Sequence, residues 1–302
     1  MVCQAPTRTA IETQLILEER FGEIGEASWL VSGVKLEESQ LELGQAVRIL
    51  GPVQTKSQAI TIMDKRERLM RKLDRFHEQA LNHIGLSAVE LIIGVLEDPG
   101  DFQIPDGTAG EDIGTASLAA GAADVPEKVA LHLPSRLSAA QCALLGLESL
   151  ALKELQIRKG EANDCLHALR LLLGKKSFEF RERLRPAVGK IQKTRAWAAI
   201  QATNAEISHH ARIYAHNRQA MIGLGINPME IETSYRQLLP SDLVTSTAIM
   251  QPNLPGQSQQ RLSWIWTYHL PSSASENHLS ECKVIHVCSR LIVLSLPMQF
   301  TE

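Results

Sequence analysis

SQAITIMDKRERLMRKLDRFHEQALNH, residues 57–83, contains neither Gly nor Pro. Ile62, Leu69, Leu73, Phe76 and Ala80 fall close to one stripe at the helical period. Lys65, Arg66, Arg68, Arg71, Lys72 and Arg75 make the remaining surface positive. Glu67 and Arg71 are four apart in the favourable order, which contributes about 0.3 kcal/mol. A two-faced stretch of this length reads as a helix and makes the fold mainly α.

Upstream, Ile11, Leu15, Ile16 and Leu17 suit a short helix that ends at Gly22 and Gly25. A second helix is expected from near Val34, carrying Leu36, Leu41, Leu43, Val47 and Leu50, until Gly51-Pro52 stops it. Downstream, LSAVELIIGVL (86–96) is a short apolar continuation, after which the composition changes. Residues 97–127 carry eight Asp and Glu but no Lys or Arg, and Gly100, Gly107, Gly110, Gly114 and Gly121 interrupt any periodicity, the pattern of a flexible acidic linker.

Beyond Pro134-Ser135 helical spacing returns. Leu137, Leu144, Leu147, Ala151 and Leu155 lead to Leu166, Leu169 and Leu173, a long helix or tight helical pair in which Gly160 is a candidate bend. After Pro186 and Gly189, Trp197, Ile200, Asn204, Ile207, Ala211, Tyr214, Arg218 and Met221 alternate at three and four residues. That spacing predicts the seam of an antiparallel helical hairpin or coiled coil, with Asn204 and Arg218 as its polar members. A short helix at 229–239, a polar loop at 251–260 and an apolar plug of Leu262, Trp264, Ile265 and Trp266 follow. The expected organisation is elongated helical hairpins or a bundle: a helical region at 1–96, a linker at 97–133, a second helical region at 134–268 and a tail at 269–302.

Composition narrows the function classes. The 302 residues are 44% hydrophobic, 22% charged and only 4% aromatic, which suits a helical core and disfavours a base-stacking surface. A net charge of -3 excludes a uniformly basic nucleic-acid binder but permits a local patch. Such a patch is present between Lys153 and Arg195, where twelve Lys and Arg face five acidic residues. Arg158, Lys159, Lys175, Lys176, Arg181, Arg183, Arg185, Lys190, Lys193 and Arg195 are its candidate phosphate contacts. The competing readings are an ordinary solvated helix face and an internal partner for the acidic linker. Trp197, Ile200, Ile207, Ala211, Tyr214 and Met221 are the candidate helix-packing residues.

Motifs for catalysis or metal binding are weak. Glu161 and Asp164 are three apart beside Arg158 and Lys159, which fits a surface pair better than a metal site, and Glu111-Asp112 falls in the linker. His209-His210 diverge on their helix, and His216 completes no HExxH. His278, Cys282 and His286, spaced by four, would align as zinc ligands only on a helical tail. There is no GxSxG and no Gly-rich phosphate loop. No catalytic residue, metal or cofactor is therefore expected. Five isolated cysteines and a polar start point to an intracellular protein, with nucleus and cytoplasm both open and no membrane association.

RKGEANDCLHALRLLLGKKSFEFRERLRPAVGKIQKTRAWAAIQATNAEISHHARIYAHNRQA (158–220) resembles the C-terminal region of basidiomycete fungal proteins related to Kyakuja-Dileera-Zisupton (KDZ) transposases. WLVSGVKLEESQL (29–41), RERLMRKLDRFHEQA (66–80) and LPSDLVTSTAIMQPNLPGQSQQRLSWIW (239–266) agree with it in order. The resemblance implies the helical portion downstream of a DDE-type catalytic core. It carries over no catalytic carboxylate and no cysteine cluster, and it stops near His269. The function it implies is a non-catalytic accessory or remnant region, for which the basic residues from Arg158 to Arg195 are the candidate contact to DNA backbone. A helical protein-interaction module using the 197–221 stripe is the alternative, and an enzyme of unnamed class the third; the partner is double-stranded DNA or a protein, with oligomeric state open.

Overall fold

A computed structural model describes residues 5–19, 25–51, 54–94, 125–244 and 263–267. Among these the chain is mainly α, with several helices and no strand. The helices are α1 (Arg8–Glu18), α2 (Glu26–Leu50), α3 (Lys56–Gly94), α4 (Ala139–Leu144), α5 (Glu148–Phe178), α6 (Lys190–Gly223), α7 (Pro228–Thr233) and α8 (Trp264–Thr267). The expected linker residues 97–124 and the tail at 269–302 lie outside the described residues, as do His278, Cys282 and His286.

By contacts the chain falls into two compact units. One unit joins Pro6–Asn163 to Arg212–Gln237; the other comprises Met1–Ala5, Asp164–Ala211 and Leu238–Glu302. The divisions fall within α5 and α6.

In the first unit, α3 follows its sequence pattern. Ile62, Leu69, Leu73, Phe76 and Ala80 are buried, while Lys65, Arg68, Arg71, Lys72 and Arg75 face solvent. The helical path breaks at Gly85, whose φ of 76° suits glycine, and resumes to bury Ala88, Val89 and Ile92. Helix α2 starts at Glu26, well before the expected Val34. Both carboxylate oxygens of Glu19 accept backbone N–H groups at its start, from Gly25 at 2.9 Å and Ala27 at 2.8 Å, which satisfies two otherwise orphaned donors. Gly33 sits inside α2. A Cβ there would lie 2.8 Å from Phe76 Cζ and 2.9 Å from Leu133 Cδ2, so glycine permits close packing. Trp29 stacks on Phe76 in the same layer at 5.0 Å between ring centroids.

Residues 125–133, assigned to the flexible linker from sequence, are packed against α2 and α3. Pro126, Leu131 and Leu133 are buried, and the Gln40 amide donates to the Pro126 and Val129 carbonyls at 2.8 and 2.7 Å. Arg66 pairs with Glu127 at 2.5 Å, and His132 stacks on His77 at 4.2 Å. Burial lowers the pKa of His132 to about 4, with the neighbouring His77 adding to the effect. Burial lowers that of His77 as well, against the opposing influence of an Ala130 backbone hydrogen bond and Asp74.

Helix α5 runs through Gly160 without a break. A Cβ at this glycine would stand 2.8 Å from the Arg8 backbone nitrogen and Cα and 2.9 Å from Ile11 Cδ1. The residue that suggested a bend is where α1 crosses α5 at close range. The break comes earlier, at Gly146 (φ 70°), between α4 and α5. Ser138 and Gln141 form a reciprocal cap at the start of α4.

Candidate nucleic-acid interface

In the second unit, residues 164–178 of α5 and 190–211 of α6 form an antiparallel hairpin. Three pairings fix the register: Lys175 with Glu206 at 3.5 Å, Thr203 Oγ1 donating to Glu179 Oε2 at 3.0 Å, and Phe180 edge-on to Trp197 at 6.0 Å. Leu166, Leu169, Leu173, Ile200, Ile207 and Ala211 supply buried apolar contacts. Asp242 ties α8 back to the preceding turn, accepting from Ser263 Oγ at 2.7 Å and Trp264 Nε1 at 3.3 Å; Arg170 donates to the Ile265 carbonyl at 2.7 Å.

The two arms are joined by an irregular connection. Helix α5 passes into a π turn at Glu179–Leu184, where Arg185 N–H reaches the Phe180 carbonyl at 3.1 Å, five residues back. Pro186 has no N–H to extend the ladder. Gly189 takes a φ of 92°, and α6 begins at Lys190. Gln192 Oε1 accepts from Val188 N–H at 3.0 Å and closes the turn.

Most of the sequence-predicted basic residues gather around this connection. Lys175, Arg181, Arg183, Arg185, Lys190, Lys193 and Arg195 are exposed, whereas Lys176 is partly buried, which lowers its pKa. Arg181 pairs with its neighbour Glu182 at 2.7 Å. Arg183 and Arg195 line a groove of about 350 Å³ with Glu182, Pro186, Ala187, Gln192 and Ala196. From residue 175 to 195 eight Lys and Arg stand against two Glu, and one of those, Glu179, is buried on Thr203.

Two members of the candidate set lie elsewhere. Lys159, in the first unit, pairs with Glu230 at 2.6 Å. Arg158 is 0% exposed and therefore not available as a surface contact. Its guanidinium bonds Glu37 Oε2, Glu154 Oε1 at 2.9–3.0 Å, Asn217 Oδ1 at 3.0 Å and Ser135 Oγ at 3.3 Å. Glu154 Oε2 accepts from the Ser135 backbone N–H at 2.9 Å, and His216 Nε2 lies 3.2 Å from Glu37 Oε1.

Burial alone would raise the pKa of Glu37, but Arg158 and then His216, through charge and hydrogen bonding, hold it well below the usual carboxylate range. Burial likewise acts to lower the pKa of Arg158, and Glu37 and Glu154 outweigh that effect and raise it. The only local sequence clue to this cluster is the Glu154/Arg158 spacing of four; its other members come from three further segments.

The packing stripe is mostly internal: Ile200, Ile207, Ala211, Tyr214 and Met221 are buried. Trp197 is 47% exposed; it lies near the hairpin connection with Phe180 edge-on to its ring. Of the expected polar members, Arg218 donates to the Tyr235 carbonyl at 2.9 Å. Glu161, considered with Asp164 as a metal pair, bonds Arg8 at 2.5 Å. Among the described residues no group of three or more His, Cys, Asp or Glu is arranged to hold a metal ion, and no helix is long and apolar enough to cross a membrane.

No family model matches the chain, and no curated protein or solved structure matches it.

Proposed function

We propose that this chain is a non-catalytic helical protein whose α5–α6 connection contacts the phosphate backbone of double-stranded DNA without reading its sequence. The observation that carries the reading is the concentration of exposed Lys and Arg from 175 to 195 on a connection built from two packed helices, with Arg183 and Arg195 on one groove. Arg and Lys neutralise phosphates, and planar guanidinium groups can engage two phosphate oxygens together. The transposon-related resemblance of the 29–41, 66–80, 158–220 and 239–266 blocks supports the same reading and would make the chain an accessory or remnant region. Burial of the 200–221 stripe argues against using that surface for a protein partner.

The test is binding of the whole chain to a labelled duplex over a salt series, beside a variant with Lys175, Lys176, Arg181, Arg183 and Arg185 changed to Ala. Contact with about six phosphates would weaken binding by roughly a thousandfold between 50 and 200 mM salt. The correctly folded variant should lose most of the affinity and show a shallower salt slope. Absence of binding at low salt, or identical curves for the two proteins, would refute the proposal.

A further inference from the structure

The basic connection has an apolar apex. Val188 is 83% exposed and Ile191 69% exposed, among the most solvent-exposed large apolar side chains described. Arg185 stands on one side in sequence, Lys190 between them, and Lys193 and Arg195 beyond. The backbone beneath is constrained by Pro186, by the Val188 N–H bond to Gln192 and by the Lys193 N–H bond to the Gly189 carbonyl at 3.3 Å. Two exposed aliphatic side chains are thus presented from a held turn, with exposed cationic residues before, between and after them in sequence.

Resting on the DNA-backbone reading above, we propose that Val188 and Ile191 form a wedge that enters between base pairs of the bound duplex and bends it. Duplex DNA has the complementary chemistry: anionic phosphates flank apolar base faces that become available when a step unstacks. One or two aliphatic side chains suffice to kink a step, provided that phosphate contacts on both sides offset the lost stacking. An anionic bilayer also combines negative charge with an apolar interior. Two side chains nevertheless offer less apolar surface than a single fatty-acyl chain, which itself anchors only marginally. The duplex is therefore the better fit.

The experiment uses the whole chain and a duplex of about 30 base pairs carrying a donor and an acceptor at its ends. Anisotropy reads binding and energy transfer reads bending in the same samples, for the wild type and for the Val188→Ser/Ile191→Ser double variant. Both positions are exposed, so circular dichroism should be unchanged. The wild type should raise energy transfer and prefer a duplex with a central mismatch about tenfold, since its unstacking is easier. The variant should bind matched duplex within about threefold of wild type and with the same salt slope, while losing the energy-transfer change and the mismatch preference.

Salt-dependent binding without bending by the wild type, or equal bending by the variant, would overturn the wedge and leave the DNA reading standing. Absence of salt-dependent DNA binding would remove both. Sedimentation with phosphatidylserine-containing vesicles that depends on Val188 and Ile191, in the absence of DNA bending, would overturn the wedge in favour of a lipid surface.

Discussion

Replacing Arg158 by Ala should destabilise the first unit severely. The guanidinium is fully buried and is the cation between Glu37 and Glu154, which are themselves almost fully enclosed. Its removal strands two carboxylates in the interior, with only His216 beside Glu37 as another basic partner. Breaking a buried ion pair by removing one partner costs about 3–5 kcal/mol, well above the effect of an exposed pair. For a unit of this size that corresponds to roughly 6–20 °C in Tm.

The pH dependence provides a more specific signature. In the wild type Glu37 has a lowered folded-state pKa, so its stabilising contribution is present above the unfolded carboxylate value and is lost as pH falls below it. Without Arg158, burial dominates and Glu37 becomes easier to protonate, so the variant should recover stability relative to wild type as pH falls from 8 to 5. Urea unfolding followed by tryptophan fluorescence and circular dichroism at both pH values measures this difference. A cost below about 1 kcal/mol at neutral pH, or a deficit that widens on acidification, would refute the account. In a double-mutant cycle, Arg158→Ala with Glu37→Gln should cost less than the sum of the single changes, with a coupling of about 0.5–3 kcal/mol.

The His77–His132 stack should also make stability fall with acid, because both folded-state pKa values are lowered: the contribution is complete above about pH 6.5 and is lost towards the His132 value of about 4. With partial solvation taken into account the loss is about 1–2 kcal/mol, and His132→Phe should flatten the urea midpoint between pH 6.5 and 4; an unchanged slope would count against the stack. Gly160→Ala improves helix propensity by about 1 kcal/mol, yet the new methyl would meet the Arg8 backbone, so a net loss of about 1–3 kcal/mol is expected, with faster amide exchange in α1. Stabilisation by that change would show that α1 yields without cost. The salt series and the Val188/Ile191 variant test the DNA interface and its mode of binding separately.

Helical class and much of the inward-facing pattern are legible in local spacing. Ile62, Leu69, Leu73, Phe76 and Ala80 on α3, and Ile200, Ile207, Ala211, Tyr214 and Met221 on α6, share stripes because a 3.6-residue turn aligns them, and those stripes are buried. The basic run is equally plain as composition. Its division between interior and surface is not: Arg158 and Arg183 are the same residue type in the same run, but one is enclosed by Glu37 and Glu154 and the other lines an open groove.

Gly160 reads as a candidate bend because local propensity registers only its missing side chain; packing uses the space left there, as it does at Gly33. Residues 125–133 read as linker because they lack helical period, and Gln40 satisfies their carbonyls from 86 and 89 residues away. Spacing along one chain segment determines which face of a helix is apolar, since that depends on neighbours within two turns. Which charge is buried and which glycine admits another backbone depend on segments far apart in sequence, and only tertiary packing brings those segments together.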